Sequence, residues 1–252
     1  MTSDKIKARH AFSTRLGGVS RGMFESLNLA ESRGDDEDAV RENYRRLSCA
    51  AGIDLARCAF TRQVHGGQVR IADVRDAHEL FSQVPYEADG LVTRERGLAL
   101  ICFTADCAPL LMCDAKNGVI AAIHCGWRPT AADIVGEAIK KMRAAGAEPE
   151  SVTAAVGPAI GACCFEVGEE VVGAMRSLLG GEYPLWREKP DVPGKFLLDL
   201  RGVVRERLLQ LGVPPENIDI SDECTVCRCD RYWSHRATQG HRGTQAAVIA
   251  LG

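Results

Sequence analysis

Apolar and polar residues alternate along the chain in two periodic patterns. One is typical of strands and the other of amphipathic helices. Between residues 98 and 125, three short apolar runs (LALICF, LLMC and VIAAI) indicate buried strands. Asp106, Cys107 and Pro109 interrupt these runs, and His124 ends the last of them. A chain that only builds a core has little reason to place a carboxylate, a thiol and an imidazole here. We therefore predict that Cys107 and His124 face one another in an active site.

Helical spacing marks four other segments. The first helix lies within residues 35–52, with acidic residues in its first turn and Gly52 after its end. In the second helix, Pro129 suits the first turn and Gly146 suits the end. A third helix ends at Gly180, and the segment from 196 to 212 reads as a fourth. Residues 182–194 read as a loop. The segments 58–64 and 68–74 are β-rich and flank His65, which predicts a hairpin with His65 in its turn.

Composition narrows the class of protein. The 252 residues carry a net charge of −3, which gives no basic surface and argues against nucleic-acid binding. The charged N-terminus is unlike a secretory signal, and no apolar run approaches the roughly 18 residues of a membrane helix, so we expect a cytoplasmic protein without a membrane partner. The 11 cysteines are scattered and odd in number, which favours reduced thiols over a disulfide framework.

Other polar residues have two interpretations each. Arg128 leads into a helix N-terminus, where it either binds an anion such as phosphate or pairs with a carboxylate. Asn28 lies in an apolar LNLA run, so it is either a structural hydrogen-bonding residue or a ligand contact. Cys224, Cys227 and Cys229 form a CxxCxC cluster that could be half of a zinc site, although neither His235 nor Asp230 completes a familiar spacing.

Ten short motifs together resemble one known family over essentially the whole chain, and in the same order. They are FSTRLGGVS, SLNLA, QVHG at 63–66, ADGLVT at 88–93, TADCAPLL at 104–111, AAIHCGWR at 121–128, GPAIGACCFEVG, FLLDL, CTVC and YWSHRATQGHRG. The chain resembles the YfiH-like family of laccase-domain proteins. Two departures are Cys125 and Pro129, where the family's HAGWRG motif has Ala and Gly, and a third is His235, where an Arg-Arg pair is common.

The resemblance implies a single-domain fold over residues 1–252 of the α/β (α+β) class. In this fold mixed β-sheets pack between helices, and it is related to cysteine-hydrolase folds. Family members bind zinc or copper on two histidines and one cysteine, which by motif would be His65, Cys107 and His124 here. Cys125 is either a small buried residue or an extra ligand, and strand alternation favours the first, because it points away from His124.

The resemblance also implies phosphorolysis of purine nucleosides (adenosine, inosine and methylthioadenosine) together with adenosine deamination. The partners would be a purine nucleoside and phosphate. The candidate catalytic residues are Asp106 and Arg128, and the candidate substrate-binding residues are Asn28, Gln63, Asp89 and Arg236. Asp89 and Asp106 are either general acids or bases or residues that orient a ligand histidine.

Three other functions remain open at this point. Cys107, activated by His124, could be the nucleophile of an amide hydrolase in peptidoglycan precursor editing, a function that does not require His65. A copper-dependent polyphenol oxidase fits less well, since six histidines are few for several coppers. A non-enzymatic metal-binding module built on Cys224, Cys227 and Cys229 is the third alternative.

Overall fold

Two mixed β-sheets packed face to face form the centre of the molecule, with helices on both outer sides. The structure is a computed structural model that describes residues 1–252, except for the side chain of Arg57. From one side to the other the layers are a helix, a five-stranded sheet, a six-stranded sheet and two helices, and a three-stranded sheet with its own helix lies beside them. This arrangement confirms the predicted class of mixed sheets between helices.

The structure has fourteen strands and five helices. The strands are β1 (Arg9–Phe12), β2 (Arg57–Ala59), β3 (Val69–Ile71), β4 (His78–Glu79), β5 (Gly90–Thr93), β6 (Ala99–Thr104), β7 (Ala108–Asp114), β8 (Val119–Cys125), β9 (Thr153–Val156), β10 (Glu166–Gly168), β11 (Trp186–Glu188), β12 (Lys195–Leu198), β13 (Ile218–Ile220) and β14 (Gln245–Ala250). The helices are α1 (Glu37–Ala51), α2 (Trp127–Ala131), α3 (Ile134–Ala144), α4 (Glu169–Leu179) and α5 (Leu200–Gln210).

The strand order explains how distant motifs meet. The five-stranded sheet runs β1-β14-β6-β2-β4, the six-stranded sheet β13-β9-β7-β8-β5-β3, and the small sheet β10-β12-β11. The chain passes from the five-stranded to the six-stranded sheet three times, and two of these crossings are the connections from β2 to β3 and from β6 to β7. Residues at these two crossings lie near one another at the same end of the stacked sheets, and the candidate site lies there.

Alternation along the strands divides the core into separate layers. Along β8, Ala121, Ile123 and Cys125 face the helices α3 and α5, whereas Ile120 and Ala122 face the other sheet. His124 therefore points toward the space between the sheets. Cys125 is fully buried on the opposite face, as the alternation predicted.

Three elements differ from the sequence predictions. The predicted hairpin around His65 is wrong, because β2 pairs with β6 and β4 while β3 pairs with β5 in the other sheet. The predicted helix from 129 to 146 is two helices, since Asp133 has φ 59° and its side chain accepts a hydrogen bond from the N–H of Gly136 to start α3.

The segment 182–212 also differs from its prediction. Trp186–Glu188 and Lys195–Leu198, read as loop and helix, form the antiparallel strands β11 and β12. The helix starts only at Leu200, where the side chain of Asp199 accepts a hydrogen bond from the N–H of Gly202. The helices α1 and α4 are as predicted, and each is followed by a left-handed glycine, Gly52 or Gly180.

Across the described residues, no helix combines the length and the apolar character that crossing a bilayer requires.

Candidate metal centre and active-site cavity

Three side chains from three separate segments converge where the chain crosses between the two large sheets. His65 lies in the connection from β2 to β3, Cys107 in the turn from β6 to β7, and His124 near the end of β8. One ligand atom from each lies within 4.8 Å of those of the other two. The rings of His65 and His124 meet edge to face, with their centroids 4.8 Å apart. The structure thus brings the three predicted ligands together.

Asp89 holds two of these ligands in place. Its Oδ1 lies 2.8 Å from His124 Nδ1, and its carboxylate accepts backbone hydrogen bonds from Val64, His65 and Gly66 at 2.7 to 3.2 Å. Since Nδ1 of His124 is engaged, its Nε2 is left for Cys107 or a metal. The same carboxylate stabilises the left-handed backbone of His65, which has φ 59°.

The charges of the three groups support a thiolate at Cys107. Burial on its own would raise the pKa of this thiol, but His124 and His65 beside it outweigh burial and lower the pKa. Burial would lower the pKa of His124, yet the nearby Cys107 and Asp89 raise it. The pKa of Asp89 is lowered, because hydrogen bonds from His124 and Gly66 outweigh its burial. Deprotonated sulfur is the form that binds metals and also the form that attacks electrophiles.

The donor set fits a catalytic metal rather than a closed structural one. Two imidazole nitrogens and one thiolate suit zinc or copper, and three protein ligands leave a coordination position open. Gly126 makes room at this point, since a Cβ there would lie 3.0 Å from Cys107 Sγ and 3.4 Å from His65 Cδ2. A larger residue at position 126 would push into the ligand cluster.

A large cavity opens above the three ligands. Its volume is about 1190 Å³, and His65, Cys107 and His124 all lie on its wall. Aromatic side chains line it on several sides, namely those of Phe60, Phe103, Trp127 and Phe165. Cationic side chains line it as well, namely those of Arg33, Arg62, Arg236 and Arg242. The cavity therefore combines flat apolar surfaces with positive charge.

Comparison with known proteins assigns the family. The sequence model of the family described as multi-copper polyphenol oxidoreductase laccase matches residues 9–252. The chain belongs to the YfiH-like laccase-domain family. This family member is 37% identical over 243 residues to the purine nucleoside phosphorylase YlmD of Geobacillus stearothermophilus, covering 94% of this chain and 88% of that protein. It is 40% identical over 253 residues to a purine nucleoside phosphorylase of Deinococcus radiodurans, covering 100% of this chain and 92% of that protein.

Further relatives extend the picture. An adenosine deaminase, RL5, from an unknown prokaryote is 34% identical over 236 residues, covering 92% of this chain and 89% of that protein. The crystal structure of the Geobacillus YlmD superposes with a TM-score of 0.92 at 35% identity and covers 99% of this chain and 94% of that one. A Bacillus licheniformis YfiH structure gives a TM-score of 0.88 at 28% identity, with 96% and 92% covered. The YfiH-like fold predicted from the motifs is confirmed.

The structure gives several predicted site residues of this laccase-domain protein a supporting position. Both polar atoms of the Asn28 side chain are engaged inside the protein, with Asp35 and with the N–H groups of Ala30 and Thr244, and Asn28 is not on the cavity wall. Asp89 likewise lies behind the ligands. Gln63 lines the cavity, but its side-chain amide pairs with the backbone N–H and C=O of Phe103. The polar side-chain atoms of these three residues are therefore engaged by protein partners.

Asp106 and Arg236 do lie on the wall. Asp106 has φ 91°, and its carboxylate accepts hydrogen bonds from Thr225 Oγ1 at 2.6 Å and from the N–H of Arg236 at 2.7 Å. The guanidinium of Arg236 donates to the carbonyls of Cys164 and Glu166 at 3.4 and 3.2 Å. Asp106 therefore positions Arg236, and both of its oxygens are engaged.

Arg128 does not line the cavity. Its guanidinium lies 4.5 Å from the ring centroid of Trp127 and is exposed on the other side of that residue. A second observation argues against an anion site at Arg128, because α2, the helix that contains this residue, is only five residues long.

Arg242 is a functional candidate that the sequence did not single out, and His235, which the sequence marked only as a departure from the family motif, also lines the cavity. Arg242 lies on the cavity wall, and its Nε is buried with no hydrogen-bond partner in the described part of the chain. Burial and the nearby Arg33 lower its pKa to about 10. The pKa of His235 is also lowered, by burial and by Arg242. Both lie in the YWSHRATQGHRG motif, which was the available signal.

Proposed function

We propose that this protein is a metal-dependent purine nucleoside phosphorylase that acts on adenosine, inosine and methylthioadenosine and also deaminates adenosine. The observation that carries the proposal is a His65, Cys107 and His124 centre on the wall of a cavity that also presents the underpaired guanidinium of Arg242. The relatives named as purine nucleoside phosphorylases and as an adenosine deaminase support it.

The cavity suits a nucleoside in size and in chemistry. Its volume of about 1190 Å³ exceeds what a purine nucleoside needs and leaves room for phosphate. Phe60, Phe103 and Phe165 offer faces and edges for a purine ring. The hydroxyl of Thr104 and the carboxylate oxygen Oε1 of Glu31 are buried beside the cavity without a hydrogen-bond partner among the described residues. Such groups favour a ligand that offers polar edges.

Phosphate would bind at Arg242 rather than at Arg128. Arg242 donates from Nη1 to the carbonyl of Gly243 and to Thr244 Oγ1 at 2.9 and 3.0 Å, and its Nε remains free. Two cations, Arg33 and Arg242, stand close together, and their mutual repulsion is what an anion would relieve. In phosphorolysis a phosphate oxygen bonds to C1′ of the ribose while the bond from C1′ to the base nitrogen breaks. The base keeps the electron pair and takes up a proton.

The three-ligand centre has a different part in this proposal. A zinc or copper ion held there would supply Lewis-acid activation at one open position. Asp89 keeps Nε2 of His124 directed at the centre. In deamination, water adds to C6 of adenosine and ammonia leaves, giving inosine. Water and phosphate would thus compete as nucleophiles, at C6 and at C1′ respectively.

The deciding experiment is an assay of purified, metal-loaded protein with adenosine, inosine and methylthioadenosine, with and without phosphate. Chromatography should show free base and ribose 1-phosphate, or its methylthio analogue, only when phosphate is present. Inosine should form from adenosine without phosphate. If no purine nucleoside gives a phosphate-dependent product, the proposal is refuted.

Two arginine variants make the assay specific to the proposed phosphate site. Arg242→Ala should raise KM for phosphate about a hundredfold, since a charge-assisted contact is lost, and leave deamination nearly unchanged. Arg128→Ala is the matched control and should leave both reactions within about twofold, because Arg128 does not line the cavity. The opposite ranking of the two variants would place phosphate at Arg128 instead.

A second candidate function is supported by the charges of Cys107 and His124. A thiolate beside an imidazolium is the pair that a cysteine amide hydrolase uses, and such an enzyme needs neither metal nor His65. His65→Ala separates the two candidates. The variant should lose bound metal and phosphorolysis together, whereas amide hydrolysis that survives the loss of metal would favour the nucleophile.

A further inference from the structure

Four cysteines that have no part in the active-site cavity lie together at the edge of the molecule. They are Cys163, Cys164, Cys224 and Cys227, and their sulfur atoms all lie within 4.8 Å of one another. The first two follow β9 in a turn before β10, and the other two lie about sixty residues later, in the loop after β13. Cys229, part of the CxxCxC cluster in the sequence, is outside this group.

The sulfur separations fit a tetrahedral metal site. Cys227 Sγ lies 3.5 Å from Cys163 Sγ and 3.4 Å from Cys164 Sγ. In a zinc site with four sulfurs at about 2.3 Å from the metal, the sulfurs are about 3.8 Å apart. A disulfide requires about 2.05 Å between sulfurs, and all eleven cysteines are free. Four thiols at these distances repel when deprotonated unless a cation lies among them.

The backbone around the cluster is built closely against it. The N–H of Gly161 donates to Cys224 Sγ at 3.2 Å, a contact that favours the thiolate. A Cβ at Gly161 would meet Cys224 Cβ at 3.2 Å and Cys163 Sγ at 3.3 Å, so the turn leaves no room for a side chain. On the same side, Arg201 is 8% exposed, and its Nη1 donates to the carbonyls of Ser221 and Glu223. This buried cation fixes the chain just before Cys224.

We propose that Cys163, Cys164, Cys224 and Cys227 bind one zinc ion in a closed structural site. Four thiolates fill a tetrahedral zinc and leave no position for substrate, so the site would stabilise the structure and take no part in the chemistry. The sequence showed only half of this ligand set. The missing half is the Cys163–Cys164 pair, which no zinc spacing rule links to a CxxC sixty residues away.

The proposed zinc would fix one wall of the active-site cavity. Thr225, next to Cys224, donates to Asp106, and Arg236 donates to the carbonyl of Cys164. The cluster therefore joins the two loops that hold Asp106 and Arg236. This inference concerns structure alone and does not depend on the identity of the nucleoside.

Metal analysis of three variants tests the proposal. Cys107→Ser disables the cavity centre, and after loading with excess zinc and desalting it should retain one zinc per chain. Cys227→Ser added to that background should reduce zinc to near zero. Cys229→Ser added instead is the matched control and should leave one zinc, because Cys229 is exposed and outside the cluster. X-ray absorption of the Cys107→Ser protein should show four sulfur ligands at about 2.3 Å.

A second measurement uses the unaltered protein and does not depend on how the variants fold. Cys163 and Cys227 are exposed, as are Cys49 and Cys229. After zinc loading, alkylation followed by mass spectrometry should modify Cys49 and Cys229 readily and spare Cys163 and Cys227. Chelation should make the second pair reactive. Equal labelling of all four exposed cysteines, a sulfur shell mixed with nitrogen, a disulfide within the cluster, or iron in place of zinc would overturn the proposal.

Discussion

Two clusters of this protein contain cysteine sulfur, the cavity centre and the four-cysteine cluster at the edge. They are built in a similar way, but they differ in whether the protein ligands leave a coordination position open. Each joins residues that are far apart in the sequence, and each places its donor atoms within 4.8 Å of one another. The cavity centre has two imidazoles and one thiolate, is braced by Asp89 and faces a cavity of about 1190 Å³. The cluster at the edge has four sulfurs and faces no substrate cavity. By its number of protein ligands, the cavity centre fits the proposed site for chemistry and the cluster at the edge fits the proposed structural site.

The largest expected difference between the two centres is in catalysis. Cys107→Ser should lower kcat/KM for phosphorolysis about a thousandfold, which corresponds to roughly 4 kcal/mol of transition-state stabilisation. Cys227→Ser should lower it less than about tenfold, since it changes only a wall of the cavity. Steady-state kinetics on both variants, with circular dichroism to verify folding, provides the measurement. Equal losses in the two variants would remove the distinction between the centres.

The stability of the folded protein should depend more on the cluster at the edge than on the cavity centre. Cys227→Ser should lower the free energy of unfolding of zinc-loaded protein by about 3 kcal/mol, because a tightly bound ion stabilises only the folded chain. For a chain of this size the melting temperature should fall by roughly 6–12 °C. Calorimetry of Cys227→Ser and Cys229→Ser, each with zinc and with a chelator, makes the comparison. A Cys229→Ser variant that melts as low as Cys227→Ser would contradict it.

A variant of Asp89 tests whether the cavity centre depends on the hydrogen bond between this carboxylate and His124. Asp89→Asn keeps the shape but loses the charge facing His124 Nδ1, so affinity for the metal should weaken about 10–100-fold. Asp106→Asn is the matched control and should keep the affinity, because the Asp106 carboxylate binds Thr225 and the backbone of Arg236 instead. Competition with a metal indicator measures both variants. An unchanged affinity in Asp89→Asn would show that the three ligands hold their geometry without it.

The smallest expected effect concerns the link between the two centres. Thr225→Val removes the hydrogen bond to Asp106 Oδ1, which should cost about 1 kcal/mol and reduce activity about fivefold. Metal content at both centres should remain unchanged. Thr225→Ser restores the hydroxyl and should restore the rate. If Thr225→Ser is as impaired as Thr225→Val, packing of the methyl group and not the hydrogen bond is what matters.

Sequence reasoning predicted local features better than relations between distant segments. The helix α1 was predicted from its acidic first turn and its final glycine, and the buried strands β6 to β8 from their apolar runs. The predicted hairpin at His65 is wrong. Two β-rich segments that are adjacent in the sequence suggest pairing with each other, whereas here each segment pairs within a different sheet. Strand partners are set by tertiary packing, which the local pattern does not contain.

The candidate site shows the same division. The motifs pointed to His65, Cys107 and His124, which the structure brings together. From the sequence, Arg128 was a candidate for either anion binding or pairing with a carboxylate at the start of a predicted helix, but that helix breaks at Asp133 and Arg128 stacks on Trp127. The sequence did not distinguish Arg242 from the other residues of its motif, because burial of its Nε is a consequence of the folded environment.

The sheet crossings that carry His65 and Cys107 have a consequence for how the protein matures. His65 and Cys107 lie on the segments that pass from one sheet to the other, and His124 lies on a strand of the second sheet. Contacts between such distant segments form slowly, because the long intervening loops must close first. The three side chains meet only after both sheets have formed and stacked, so a metal ion at the proposed cavity centre would be loaded at the final stage of folding. Metal supplied to the unfolded chain would find the ligands scattered, which makes the order of folding and loading part of the biogenesis of the active protein.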